Sequence, residues 1–454
     1  MNPFASLRDM RKALDRKEVS SVELTRMYLD RLKTIGTAHN AVAELTESLA
    51  LKQAAEADRT TARSPLHGIP FGVKDLLATK GIPTRWGSPG HADQVFDYDS
   101  TVVRRLEDAG AVLLAKLEMI ELAGGGNYNV ANASRMGPCL SAWDKRLWAG
   151  GSSSGSGATT ALGCVGFSIG SETSGSITCP SAFNGATGFR PTYGRVSRFG
   201  AMALCWTLDK LGPICRSAED CGTVLETIAG PDPLDPSTLG ERLSLRSRGP
   251  KPRIGLLKEN FKDAKATAME AAYHATLDAL RKLGYETSEV AYPPLPYGTA
   301  INIIVDAEGA SAHENFIRSD RFAKLQDVNQ IAGFAAAMQT RAVDYLWAMR
   351  LRTEALKANA VWDKCDCILT PTFYHRAIPI DQPFDKTWVG MGGDDGPSNL
   401  LGWPALAFPV GFEDGAPISC QVIAPALRED VCYRVARDFQ RATDWHTCRP
   451  PNAS

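Results

Sequence analysis

The sequence predicts an α/β fold, on three observations. Short apolar runs, at 69–73 and 111–115, alternate with stretches of helical periodicity. Glycine punctuates the joins, as Gly110 does between a helix expected over 102–109 and the strand after it. With 454 residues, 44% of them hydrophobic and 22% charged, the chain has the material for a large core.

Taken in order, the elements start with two packing helices. Ser20-Ser21-Val22-Glu23 reads as a capping box, with Glu23 reaching back to the Ser20 backbone. Leu24, Met27, Tyr28, Leu32 and Ile35 then recur at the spacing of one helical face, and Gly36 is the expected C-cap. The run 69–73 predicts a strand ending at Lys74-Asp75. The segment 231–252, rich in Pro, Asp, Ser and Arg, reads as a surface connection. Residues 253–257 then restart the strand–helix alternation, with a helix over 264–283 closed by Gly284.

Composition excludes several function classes. A net charge of −1 offers no basic footprint for nucleic acid or an anionic membrane. No segment approaches the ~20 apolar residues of a transmembrane helix, and the N-terminus lacks an apolar leader core, so a cytosolic enzyme is expected. Eleven cysteines, an odd number, read as reduced thiols. Cys365-x-Cys367 has no second Cys/His pair beside it, so buried thiols are expected there and no metal.

The segment 150–158, Gly-Gly-Ser-Ser-Ser-Gly-Ser-Gly-Ala, is too polar and too small in side-chain volume for ordinary core. Hydroxyls beside free backbone N–H groups are the parts of an acyl-transfer site, provided a base exists. Residues 151–155 match the G-x-S-x-G elbow of α/β-hydrolases, which would make Ser153 the nucleophile and His446 its base in an esterase. That motif needs a buried strand directly before it, and 144–149 is not one. No serine has a lysine three residues later, which closes the S-x-x-K arrangement. No lysine follows the glycines as a phosphate loop requires. Lys74 is the candidate for a distant base, although a single lysine after a strand reads on its own as a solvated surface charge. To act so it must be neutral, and burial brings a lysine down from about 10.4. Lys116, a similar lysine after a strand, reads as a solvated surface charge.

Three blocks then act together: 68–75 with Lys74, the Gly-Gly-Ser-Ser loop, and 170–177, Gly-Ser-Glu-Thr-Ser-Gly-Ser-Ile, with Ser152 and Ser176 24 residues apart. With 188–197, 209–213, 369–372, 399–404 and Gln421, they resemble the amidase signature family over nearly the whole chain. The resemblance implies a single large domain, a mixed twisted sheet sandwiched between helices. Within it, 1–62 would be packing helices, 63–230 the core carrying the catalytic groups, and 253–454 the variable pocket region with the rest of the sheet. It implies a Ser-cisSer-Lys triad: Ser176 as nucleophile, Ser152 as bridging serine after a non-proline cis peptide, and Lys74 as base. Backbone N–H groups of Thr173, Ser174, Gly175 and Ser176 would form the oxyanion hole. It implies hydrolysis of an amide, carbamate or ester with no cofactor and no metal, by a monomer or homodimer acting on a small molecule. Two other roles fit the same resemblance: the A-type subunit of a glutamyl-tRNA(Gln) amidotransferase, which needs a further protein as partner, and an inactive amidase-like binding protein.

The chain departs from the family pattern at Glu172 (usually Asp), Ser154 and Ser174 (usually Gly) and Thr178 (often Arg). The loss of that arginine implies a neutral acyl group and places Thr178 among the substrate-binding candidates. Asn127 and Tyr128 are further pocket candidates; Ser153 and Ser156 read as loop-stabilising hydroxyls. Apolar or aryl groups would be held by 373–398, with Tyr374, Trp388 and the run 390–393, and by the helix around Tyr345 and Trp347.

Overall fold

The computed structural model describes residues 1–246, 249–261, 267–387 and 397–453. Trp388, the run 390–393 and the predicted first residues of the 264–283 helix lie outside them.

One sheet of eleven strands organises the chain: β1 (Val42–Leu45), β2 (Pro70–Lys74), β3 (Val112–Leu117), β4 (Phe167–Glu172), β5 (Thr187–Arg190), β6 (Lys210–Cys215), β7 (Ile254–Leu257), β8 (Thr287–Val290), β9 (Cys367–Pro371), β10 (Ala405–Glu413) and β11 (Ala416–Ile423). Their order is β1-β3-β2-β4-β6-β5-β10-β11-β9-β7-β8. The sheet is mixed. Strands β3, β2 and β4 run parallel, as do β9, β7 and β8, and an antiparallel centre of β6, β5, β10 and β11 joins the two wings. Helices pack on it in two groups, Ser154–Ala161 with Thr178–Asn184, and Glu429–Ala442 with Ala218–Ile228 and Thr267–Lys282. Covered strands must be apolar on both faces, and every residue of β2, β3 and β4 is buried. Phe71 stacks on Phe167 across the β2–β4 pairing, ring centroids 5.3 Å apart.

The local predictions meet this architecture unevenly. The capping box is formed, with Ser20 N donating to Glu23 Oε2 at 2.7 Å and Glu23 N to Ser20 Oγ at 3.1 Å. Its helix, Ser21–Arg31, runs into a wider turn at Leu32–Gly36. Gly36 has φ −60 and does not cap it; the left-handed residue is Asn40 at φ 51. A side chain at Gly36 would press on Val42, which explains the glycine by space. The N-terminal region is also more than helices, because β1 adds a strand to the sheet edge. The 231–252 connection is not all surface: Asp232 is buried and accepts from Thr101 and Ser197 hydroxyls. Among the described residues, no helix is long and apolar enough to cross a membrane, and no group of three His, Cys, Asp or Glu side chains could hold a metal ion. All eleven cysteines are free, and Cys365 and Cys367 are buried.

Candidate active site

Parallel β2 and β4 lie side by side, so their C-terminal ends bring Lys74 and Ser171 to one place. Lys74 is wholly buried, with Nζ 2.7 Å from Ser152 Oγ and 2.8 Å from Ser171 Oγ. Burial lowers its pKa to about 7 against the opposing pull of Asp209 and Glu172. A lysine so placed has a substantial neutral fraction at neutral pH.

Ser152 follows the one cis peptide bond of the described chain, Gly151–Ser152, and its carbonyl accepts from Ile120 N at 3.1 Å. The rest of the Gly/Ser run becomes helix Ser154–Ala161, laid on β4 and fastened by hydroxyls. Ser153 Oγ donates to Ser171 O and accepts from Ser171 N, while Ser156 Oγ donates to Ile169 O. Thr160 and Ser168 hydroxyls bond to each other. The glycines are there for close approach: a Cβ at Gly155 would come 2.3 Å from Ala41 O, and one at Gly157 2.6 Å from Pro180 O. Ser153 and Ser156 thus have the stabilising role expected of them. Ser153 is not placed to attack, since its hydroxyl is spent on β4. His446 lies among Glu219, Asp444 and Arg449, and 144–149 forms only isolated bridges and no strand, so the elbow arrangement is absent.

The loop 173–176 leaves β4 and turns at Gly175, φ +84, which allows the chain to enter helix Thr178–Asn184. Ser153 N donates to Ser176 O at 3.3 Å, tying this loop to the Ser152 turn. Three side chains hold it from behind. Thr173 Oγ1 donates to Asp209 Oδ1 at 2.6 Å, and Lys210 Nζ donates to Thr173 O at 3.1 Å and to Asn399 Oδ1 at 3.1 Å. Glu172 Oε2 accepts from Ile177 N and Thr178 N, and its Oε1 pairs with Arg190 at 2.8 Å. Burial resists ionisation of Glu172, but Arg190 and Lys210 overcome it and hold its pKa at about 2. The longer glutamate at a position usually aspartate therefore spans from the loop to Arg190. Glu172→Gln is expected to destabilise the fold by about 3–5 kcal/mol, because it removes the carboxylate from a buried ion pair with Arg190; denaturant unfolding measures this. Unchanged stability would contradict the pairing.

In front of the loop lies a cavity of about 200 Å³, lined by Gly151, Thr173, Ser174, Gly175, Ser176, Asn127 and Tyr128 among others. The candidates Asn127 and Tyr128 are thus where the sequence reading put them. Thr178 is not. It is fully buried, its hydroxyl bonded to Glu172, so it shapes the helix start and does not line the cavity. Leu204, Cys179 and Phe373 complete the walls with Ile301, Asn302 and Val305 of helix Tyr297–Ala312. Tyr345, Trp347 and Tyr374 do not line it: Tyr345 donates to Glu308, Trp347 is exposed, and Tyr374 packs on Phe261. Among the described residues, no Asp, Glu, Lys or Arg lines this cavity. Lys116 is also placed differently from its sequence reading. It is wholly buried, donates to Leu77 O and Thr84 Oγ1, and lies 3.4 Å from Asp75, whose other oxygen accepts from Arg85 N.

Sequence reasoning missed Ser171, Lys210 and the 301–305 face. For Lys210 the signal was a charged residue opening an apolar strand, Lys-Leu-Gly-Pro-Ile-Cys. For the helix there was none, because Ile301 and Val305 are ordinary core types and Asn302 is an ordinary exposed helix residue.

Comparison with known proteins agrees with this architecture. The family model described as Amidase matches residues 23–433. The chain is 35% identical to the A-type subunit of glutamyl-tRNA(Gln) amidotransferase from Methylococcus capsulatus (strain ATCC 33009 / NCIMB 11132 / Bath), over 98% of each protein. Among solved structures it resembles native peptide amidase from Stenotrophomonas maltophilia, at 29% identity and TM-score 0.85 over 98% of each chain. It also resembles a chain of a vestigial protein complex bearing on the origins of an s-triazine catabolic enzyme, at 30% identity and TM-score 0.88 over 96% of this chain and 98% of that one. Fold, motif order and these likenesses agree: the chain belongs to the amidase signature family.

Proposed function

We propose that this chain hydrolyses the C–N bond of a neutral small amide, with Ser176 as nucleophile, Ser152 as proton relay and Lys74 as base. One observation carries the reading: a fully buried Lys74, its pKa brought down to about 7, sits 2.7 Å from Ser152 beside the loop that presents Ser176 to a cavity with no charged side chain among its described lining residues. Neutral Lys74 takes a proton from Ser152, which takes one from Ser176 as Ser176 Oγ bonds to the substrate carbonyl carbon. The C=O electron pair moves to oxygen. That oxyanion is received by the backbone N–H groups of 173–176, where one donor is typically worth ~10²–10³ in rate. The N–H groups of Ser174, Gly175 and Ser176 make no hydrogen bond within the described residues, which leaves them free for this. When the C–N bond breaks, the proton returns through Ser152 to the departing nitrogen, since an amide anion is a poor leaving group. Water then attacks the Ser176 ester with the same relay and releases the acid.

The cavity supports a neutral acyl group with apolar or aryl character. Leu204, Ile301, Val305 and Phe373 supply apolar surface, while Asn127, Asn302 and Tyr128 supply polar contacts without charge. Carbamates and esters pass through the same tetrahedral intermediate and fall within reach of the site. A panel of anilides, aliphatic amides, aryl carbamates and esters, with Ser176→Ala as control, tests this. Neutral amides are expected to be turned over well ahead of analogues bearing a free carboxylate. The opposite order would overturn the neutral-substrate assignment.

A second reading, an amidotransferase A-type subunit, is favoured by 35% identity to a protein of that name over 98% of this chain. In that reading the ammonia released would pass to a partner protein. Activity on neutral amides by the purified chain alone, undiminished without any partner, decides for the hydrolase.

A further inference from the structure

We infer that Lys210 is a positioning residue for the reaction: by holding the Thr173 carbonyl it aims the Ser174 N–H into the cavity as an oxyanion donor. The inference rests on the Ser176 reading above and adds a residue that reading does not use. Lys210 opens β6, directly opposite Glu172 at the end of β4, and is only 2% exposed. Its Nζ has two acceptors, Thr173 O and Asn399 Oδ1, each at 3.1 Å.

The geometry follows from the peptide unit. The Thr173–Ser174 bond is trans, and in a planar trans peptide the C=O and N–H point in opposite directions. A carbonyl drawn back to Lys210 therefore turns the N–H of Ser174 to the other side, and Ser174 lines the cavity there. A flip of this one peptide would present carbonyl oxygen to the developing oxyanion and repel it. Position 174 carries serine, so the loop lacks a glycine's freedom there and needs its peptide orientation fixed from outside. Lys210 supplies the missing restraint. Its bond also polarises the shared peptide, which strengthens the N–H at the far end as a donor. The second tether on the same residue, Thr173 Oγ1 to Asp209, fixes the side chain but leaves the peptide orientation to Lys210.

The test uses the full chain and phenylboronic acid, whose tetrahedral serine adduct mimics the oxyanion. Lys210→Met keeps the side-chain bulk and removes the donor. It is expected to lower kcat by about 10- to 100-fold with KM within about twofold, and to weaken boronate binding by the same factor. Lys210→Gln retains an N–H donor and is expected to recover most of both. A purely structural role would lower the active fraction and leave boronate affinity per active site unchanged, which would overturn the inference. A second measurement needs no substitution. In wild-type protein labelled with ¹⁵N-serine, the Ser174 amide proton is expected to move downfield on adduct formation, and an unmoved resonance would overturn it too. Fluorophosphonate labelling is run first on the same protein. Absence of label overturns the Ser176 reading and this inference together, whereas a labelled protein whose Lys210→Met variant keeps wild-type kcat overturns this inference alone.

Discussion

Ser176→Ala is expected to lower kcat by roughly 10⁴–10⁶-fold while leaving the fold intact. Alanine removes only an oxygen that bonds to nothing else in the described structure, so neither β4 nor helix Thr178–Asn184 loses an anchor. The Ser176 carbonyl still accepts from Ser153 N, and the Glu172 carboxylate still holds the two amides after it. The variant should bind substrate normally, melt within a degree or two of wild type and fail to take a fluorophosphonate. Ser152→Ala should leave more residual activity, because the nucleophile remains and only its proton path is lost, a factor of about 10²–10⁴. If the two effects came out in reverse order, the roles of the two serines would have to be exchanged.

Lys74→Met is the second large effect, and it has two opposite signs. Activity should fall by about 10²–10⁴-fold, since the relay then ends on a thioether that binds no proton. In wild type, kcat/KM should rise with pH as Lys74 deprotonates, with a midpoint near the pKa of about 7, and then level off. The variant should lose that rising limb. Stability should move the other way. Folding brings the lysine pKa down from 10.5 to about 7, chiefly by burial, so the folded chain holds this proton less tightly than the unfolded one. That cost is complete below pH 7 and vanishes as pH rises from there toward 10.5. Methionine avoids it, so the variant should exceed wild type in denaturant midpoint most clearly below pH 7, with the gap closing as pH rises. A loss of activity joined to a loss of stability at about pH 6 would mean that the fold stabilises the Lys74 charge instead of opposing it, and that its pKa is not lowered.

The wing of the sheet around the site was legible in the sequence because its signals are local. Apolar runs at 69–73 and 111–115 became β2 and β3, and Ser20 with Glu23 made its capping box. The resemblance brought Lys74, Ser152 and the loop 173–176 together, and the structure brings them together at two strand ends and one turn. What the sequence hid depends on partners distant along the chain. Lys116 has the same flanks as an exposed lysine, and only Asp75, Thr84 and Leu77 make it a buried one. Thr178 looked like substrate contact because the usual arginine is missing there, but a hydroxyl is too short to reach past Glu172. Tyr345 and Trp347 drew attention as aromatic side chains. The pocket wall came instead from Ile301, Asn302 and Val305; no composition rule separates Ile301 and Val305 from core, and a lone Asn on a helix gives no signal.

That wall belongs to helix Tyr297–Ala312, while the proposed reacting groups stand at the end of β2, on the Gly/Ser turn and on the loop after β4. The proposed bond-breaking groups and this part of the pocket wall are thus written on different stretches of the sequence. The turn tolerates almost no drift, because a single added methyl at Gly155 or Gly157 meets main chain. Positions 301, 302 and 305 can vary without touching Lys74, Ser152 or Ser176. Under the proposed function, changes in this one helix would reshape part of the pocket while leaving the Gly/Ser turn as it is.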